Sequence, residues 1–284
     1  MGVYPAPGVS TSSDGNEATD PITAEVWAEH SVWTQDPQFT LALKGGVTAF
    51  HVLPGSANLM GGRGATFKNV PRNTIHDMKF PNAPHSLKMA CGENPKRVYG
   101  NRGQAPSTRM GNMAGFRKAW IRAENYKKIQ AEYDDKSSSA RELLDPPMRD
   151  LQLDTLAGVL DGSILVQNHC YRADEMAMMI EMSHEFNYKI TAFHHAVEAY
   201  KIADLLADEG ICGALWADWW GFKHEAYDMV PANIAIVDQA RGGTGCAIVH
   251  SDDEVGIQHL NQEAAKALIA GIRAGYDISK ARAM

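Results

Sequence analysis

Ser163-Ile-Leu-Val-Gln-Asn-His169 and Lys189-Ile-Thr-Ala-Phe-His-His195 are strand-length apolar runs, each ending in a histidine. Between them, residues 173–186 carry the period of an amphipathic helix, with Met176, Met179 and Ile180 on one face. The unit repeats outward. Upstream, Ser86-Leu-Lys-Met-Ala-Cys-Gly-Glu93 ends in a carboxylate; downstream, Gly213-Ala-Leu-Trp-Ala-Asp218 and Cys246-Ala-Ile-Val-His-Ser-Asp252 each end in an aspartate. Helical stripes continue through residues 198–208, closed by Gly210, and 263–274, closed by Gly275. Strands alternating with helices pair in parallel through right-handed crossovers. A doubly wound sheet would carry a G-x-G-x-x-G turn between a strand and a helix, and Gly61-Gly62-Arg63-Gly64 lacks that spacing. The pattern predicts a (β/α)8 barrel, whose C-terminal strand ends form one chemical face.

Nearer the N-terminus, residues 1–23 read as an irregular surface segment, and 21–33 and 36–43 read as helices. Val47 to Leu53 reads as a strand broken by Pro54-Gly55, followed by a glycine-rich stretch and an extended piece at 65–68. Further helices are expected between 106 and 160, with Pro146-Pro147 as a break. At 284 residues the chain suits one large domain, or one with a small appendage. Its net charge of -7 argues against a nucleic-acid binder, whose affinity comes from Lys and Arg. No apolar run reaches the ~18 residues of a membrane span, and no signal peptide is visible. Localisation and oligomeric state are left open. Cys91, Cys170, Cys212 and Cys246 are scattered without a C-x-x-C pair, which signals neither a disulfide framework nor a zinc knuckle.

Parallel strand ends converge, so Glu93, His169, His195 and Asp252 are expected to meet although they are far apart in sequence. Two imidazoles with carboxylates form a ligand set suited to zinc, or to iron, manganese or nickel. A single polar residue at a strand end is usually structural. Four at four ends would be costly to bury without a shared purpose. Asp218 reads as either a substrate group or a cap. Arg172 and Tyr171, just past His169, are placed to hold a substrate carboxylate, with a surface salt bridge as the alternative for Arg172. His250 shares the face of Asp252 and should line the pocket from below, whereas His194 should point away from the lumen. Cys91 and Cys170 read as small buried residues, Trp219-Trp220 as packing, the methionines at 176–179 as core, and the charged stretch 124–136 as a solvated face.

Asn168-His169-Cys-Tyr-Arg-Ala-Asp-Glu175, His195-Ala-Val-Glu-Ala-Tyr200 and Ile248-Val-His-Ser-Asp252 resemble the strand-5, strand-6 and strand-8 motifs of the metal-dependent amidohydrolase superfamily. Residues 54–64 and 89–95 are similar to its imidazolonepropionase-like branch. The resemblance implies hydrolysis of C–N bonds in amides, cyclic amides or dipeptides, with His169 and His195 as metal ligands and Asp252 as the catalytic carboxylate shared with a metal. Glu93 matches the place where some members bridge metals with Glu instead of a carboxylated lysine; Lys88 is the lesser candidate for that role. The superfamily's first-strand His-x-His pair is absent, and Met1 to Gly8 resembles the segment directly after that pair. The chain also stops at Ala281-Arg-Ala-Met284, where a helix should be starting.

The expectation is therefore an incomplete barrel lacking the first strand, the last helix and the small β-sandwich of an enzyme of about 400–450 residues, larger than a bare barrel. Such a barrel would carry two open strand edges and at most one divalent ion, on Glu93, His169 and His195. Competing expectations are an inactive remnant acting as an interaction module and a metal-dependent lyase or isomerase. The expected partner is a small-molecule amide.

Overall fold

The computed structural model describes residues 1–276; the helix start expected at residues 281–284 lies outside them. A seven-stranded sheet runs in sequence order through β1 (Ala49–Val52), β2 (Met60–Lys68), β3 (Ser86–Ala90), β4 (Leu165–Cys170), β5 (Ile190–His195), β6 (Cys212–Leu215) and β7 (Ala247–Val249). From β3 to β7 every neighbouring pair is parallel, as the strand–helix alternation predicts. β1 and β2 depart from this: Ala49 pairs with Lys68 and Gly64 with Ser86 in antiparallel register. The short Pro54-Gly55 connection turns the chain straight back, which a parallel crossover cannot do.

The crossovers are helical. Glu93–Gly100, Arg109–Asp134 and Leu151–Leu160 lie between β3 and β4, Ala173–Glu185 between β4 and β5, Ala203–Asp208 between β5 and β6, and Asn233–Gly243 between β6 and β7. Their starts follow the chemistry of free backbone N–H groups. Thr108 caps Gly111 N, and Asp150 accepts from Gln152 N and Leu153 N. Pro37, which has no N–H to satisfy, opens Pro37–Lys44 behind the Asp36 cap. The helices bury Phe116, Trp120, Leu156, Met176 and Met179 against the outer face of the sheet, where Leu87, Met89, Val166 and Phe193 project. Among the described residues no helix is long and apolar enough to cross a membrane.

Residues 21–33 do not form the expected helix. Ile22 and Trp27 bridge instead to Met60 and Arg63, with only a 3-10 turn at Ala28–Ser31. The glycine-rich stretch is the reason. A Cβ on Gly62, whose φ is +115°, would lie 2.5 Å from Val26 O, so glycine there lets the segment press onto β2. The same stretch is itself strand, continuous with the extended piece at 65–68, and β2 begins at Met60.

The sheet curls into a half-barrel. Phe50, His51 and Val52 of β1 face Ile248 and Val249 of β7 across one cavity of about 700 Å³. Helix Pro37–Lys44 packs on the 3-10 turn Gly256–His259, joining the two ends of the sheet. A Cβ on Gly45 would sit 2.1 Å from Gln258 O.

The cysteines also correct the sequence reading: Cys91 is disulfide-bonded to Cys170, and Cys212 to Cys246. Sequence separations of 79 and 34 conceal the pairing, but neighbouring strands bring the Cα atoms to 5.3 and 4.5 Å.

Candidate functional site

Strand parity decides what enters the lumen. In β3 and β4, Lys88, Gln167 and His169 alternate with outward Leu87, Met89, Val166 and Cys170. In β5, parity sends Ala192 and His194 inward and Phe193 into the helical core. His195 would then follow Phe193 outward. It does not, because its φ of +69° and that of +37° at Ala196 turn the chain back toward the lumen. The reading of His194 as outward-facing is therefore wrong. It lines the cavity, with Nε2 2.7 Å from Gln167 Oε1 and its ring 5.3 Å from that of His250. Asp252 also sits at positive φ, +54°. A non-glycine residue at positive φ costs free energy, and three of them at one site mark a position the surrounding structure enforces.

His169 and His195 meet edge to face, ring centroids 4.7 Å apart. Both are buried. His195 Nε2 lies 3.4 Å from Asp252 Oδ2, and its Nδ1 lies 3.0 Å from His250 Nε2. The Asp252 side chain is half exposed, opening into the cavity. Tyr171 stands 4.6 Å from His169 and 5.4 Å from His195, and Trp216 stacks on His195 at 4.3 Å. Beneath them Lys88 is buried, its Nζ donating to Pro54 O at 3.1 Å.

Burial is the chief cause holding the imidazoles of His169, His194 and His195 well below the usual histidine value, and nearby positive charge pushes the same way. His250 is pushed down to about 3 by burial and then by Lys88. These rings are neutral at pH 7, so each carries one protonated and one unprotonated nitrogen. Burial lowers the Lys88 ammonium against the pull of Asp252. Although half of its side chain is exposed, enclosure by the cavity walls raises the Asp252 carboxyl, opposed by Lys88.

The other expected residues lie apart from this cluster. Glu93 opens helix Glu93–Gly100, and its Oε1 is 3.4 Å from Lys223 Nζ. Arg172 turns to Asp174, with Nε and Nη2 at 2.9 and 2.7 Å, because a carboxylate two residues on satisfies the guanidinium locally. Asp218 pairs with Lys266 at 2.9 Å on the helix after β7. Among the described residues, no group of three or more His, Cys, Asp or Glu is close enough to hold a metal ion.

Sequence reasoning missed Asn94, whose Nδ2 is 3.3 Å from His169 Nε2, and Lys223, whose Nζ donates to Asn94 Oδ1 at 2.8 Å. It also missed Arg109, which grips both Glu175 and Glu225 behind the Gly92 turn. Asn94 adjoins a residue already singled out. Lys223 and Glu225 sit at the short 3-10 turn His224–Ala226 in the connection after β6, where no periodicity points to them.

Parallel strand tips that gather neutral imidazoles and a carboxylate over a cavity form a chemical site on one face of the α/β half-barrel. No family model matches the chain. It is 34% identical over 292 residues to amidohydrolase tasK of Hapsidospora irregularis, covering 95% of this chain and 29% of that protein. The crystal structure of an amidohydrolase from Thermotoga maritima MSB8 superposes with a TM-score of 0.88 at 31% identity, covering 100% of this chain and 70% of that one. The chain thus spans less than a third of the length of the curated relative it matches. It belongs to the amidohydrolase superfamily.

Proposed function

We propose that this chain hydrolyses a C–N bond of a small amide, cyclic amide or dipeptide, using a divalent cation, most simply zinc, held by His169, His195 and Asp252. The observation that carries the reading is their convergence on one cavity from β4, β5 and the end of β7. The donor types fit such an ion, and His169 and Asp252 would have to draw in toward His195 to close around it, since the three are not yet at ligand spacing. The imidazoles of His169 and His195 are neutral, so each keeps one ring nitrogen able to donate a lone pair. With His250 accepting from His195 Nδ1, the His195 Nε2 lone pair and an Asp252 oxygen face each other and call for a proton or a cation between them. The half-barrel is read as the working arc of a (β/α)8 barrel, and the motif likeness to the imidazolonepropionase-like branch belongs to the same proposal.

When bound, the cation would supply a Lewis acid that polarises the scissile carbonyl and eases deprotonation of water. Asp252 accepts the proton of the attacking water and returns it to the departing nitrogen. His250 fixes the His195 ring through Nδ1, while Trp216 and Tyr171 wall the histidines and limit water. Glu93 joins this set only by giving up Lys223, whereas Lys88 already lies beneath it.

The Glu93–Lys223 ion pair favours one second reading, a barrel whose metal set stays incomplete. His195→Ala separates the two. Wild-type protein purified with zinc should hold about one equivalent and turn over members of an N-acyl amino acid, dipeptide and cyclic ureide panel; the variant should lose both. Turnover that survives in metal-free buffer would refute the hydrolase reading, and a zinc-free, inactive wild type would leave the incomplete barrel.

A further inference from the structure

Resting on the reading of His169 as a cation ligand, we propose that Lys223 is a positioning residue that acts through Asn94 to fix which nitrogen of His169 carries the proton. An imidazole tautomer is set by what each ring nitrogen meets. At His169, Nδ1 is buried and meets nothing among the described residues, so the choice is made at Nε2 alone. There the neighbour is the Asn94 amide, 3.3 Å away, which could present either its oxygen or its nitrogen.

Lys223 removes the ambiguity. Its ammonium has only protons to give, and it donates to Asn94 Oδ1 at 2.8 Å. A flipped amide would set two donors against each other. Asn94 therefore offers Nδ2–H to His169, and Nε2 must accept. The proton is left on Nδ1, and Nε2 keeps a lone pair that a cation can take in place of the amide.

Besides Asn94, further neighbours hold Lys223: Glu93 Oε1 lies at 3.4 Å, and the Tyr171 ring centroid lies 4.2 Å from its Nζ. Glu93 is held in turn where its N–H donates to Glu225 at 2.9 Å. Tyr171 is also the ring that meets His169 edge-on, so one ammonium holds both neighbours of that imidazole. Groups behind a ligand that fix its tautomer typically tune metal affinity by about 10–100-fold.

The test is long-range 1H–15N correlation NMR on 15N-histidine-labelled protein without added metal, with His169 assigned by the signal lost in His169→Gln. Wild type should show Nδ1–H. Lys223→Met frees the amide to flip and should move the proton wholly or partly to Nε2, and Lys223→Arg should restore the wild-type tautomer. Should Lys223→Met not fold, Asn94→Asp presents only acceptors and should force Nε2–H. A wild-type Nε2–H tautomer, or an Nδ1–H tautomer that survives Lys223→Met or Asn94→Asp, overturns the proposal. Because the measurement uses neither metal nor substrate, a failed hydrolase assay leaves it standing. Zinc titration of the folded Lys223→Met protein should show affinity weakened about 10–100-fold; unchanged affinity would also overturn it.

Discussion

Trp216 lies against His195 with ring centroids 4.3 Å apart and planes 29° from parallel, and its Nε1 donates to Ser251 O at 2.8 Å. One indole thus ties the tip of β5 to the backbone beside Asp252. Trp216→Ala should destabilise the fold by about 3–5 kcal/mol, the range for emptying a buried aromatic site. Trp216→Phe keeps the ring contact and should cost about 1 kcal/mol for the lost hydrogen bond. Urea denaturation of the two variants measures both, and equal losses would contradict the stacking role.

Glu175 gives the fold a pH dependence of defined sign. Burial, and then Glu225, raise its carboxyl from 4.5 to about 7, although Arg109 opposes the rise. The folded chain therefore holds a proton at pH values where the unfolded chain has released it. Stability is unaffected by this group below about 4.5, falls as pH rises from there, and has lost the full contribution once pH passes about 7. Glu175→Gln keeps an acceptor for Arg109 and removes the charge. Chemical denaturation across pH 4 to 8 should show the slope flattened in the variant. An identical slope would assign the dependence elsewhere.

Asp252→Asn separates proton transfer from shape. Asparagine tolerates the φ of +54° and matches the carboxylate in size. The variant should fold normally, while kcat falls by about 10²–10⁴, the usual worth of a positioned acid–base group. Activity within a few-fold of wild type would remove Asp252 from the chemistry.

How far the sequence foretells this molecule depends on the range of the forces involved. The repeat of apolar run, helix and polar strand end is local, so β4, β5 and their helices are legible from periodicity. Of the four residues expected to meet, His169, His195 and Asp252 line one cavity, whereas Glu93 pairs with Lys223. The side chosen for His194 is not legible. Alternation between faces holds only along a regular strand, and His195 leaves one at φ +69°. The two disulfides depend on strand order, which spacing does not reveal. Residues 21–33 carry helix-like apolar positions that instead pack on β2 because Gly62 admits them. Lys223 reaches Asn94 across 129 positions of chain, and no local pattern announces it.

The central claim is that His169, His195 and Asp252 share one cation. Crystals of the protein grown with zinc, measured for anomalous scattering at the zinc edge, test it most directly. One strong peak is expected about 2.0–2.2 Å from a nitrogen of each histidine and an oxygen of Asp252. A zinc-loaded crystal with no peak there, or with its peak bound elsewhere on the chain, would contradict it.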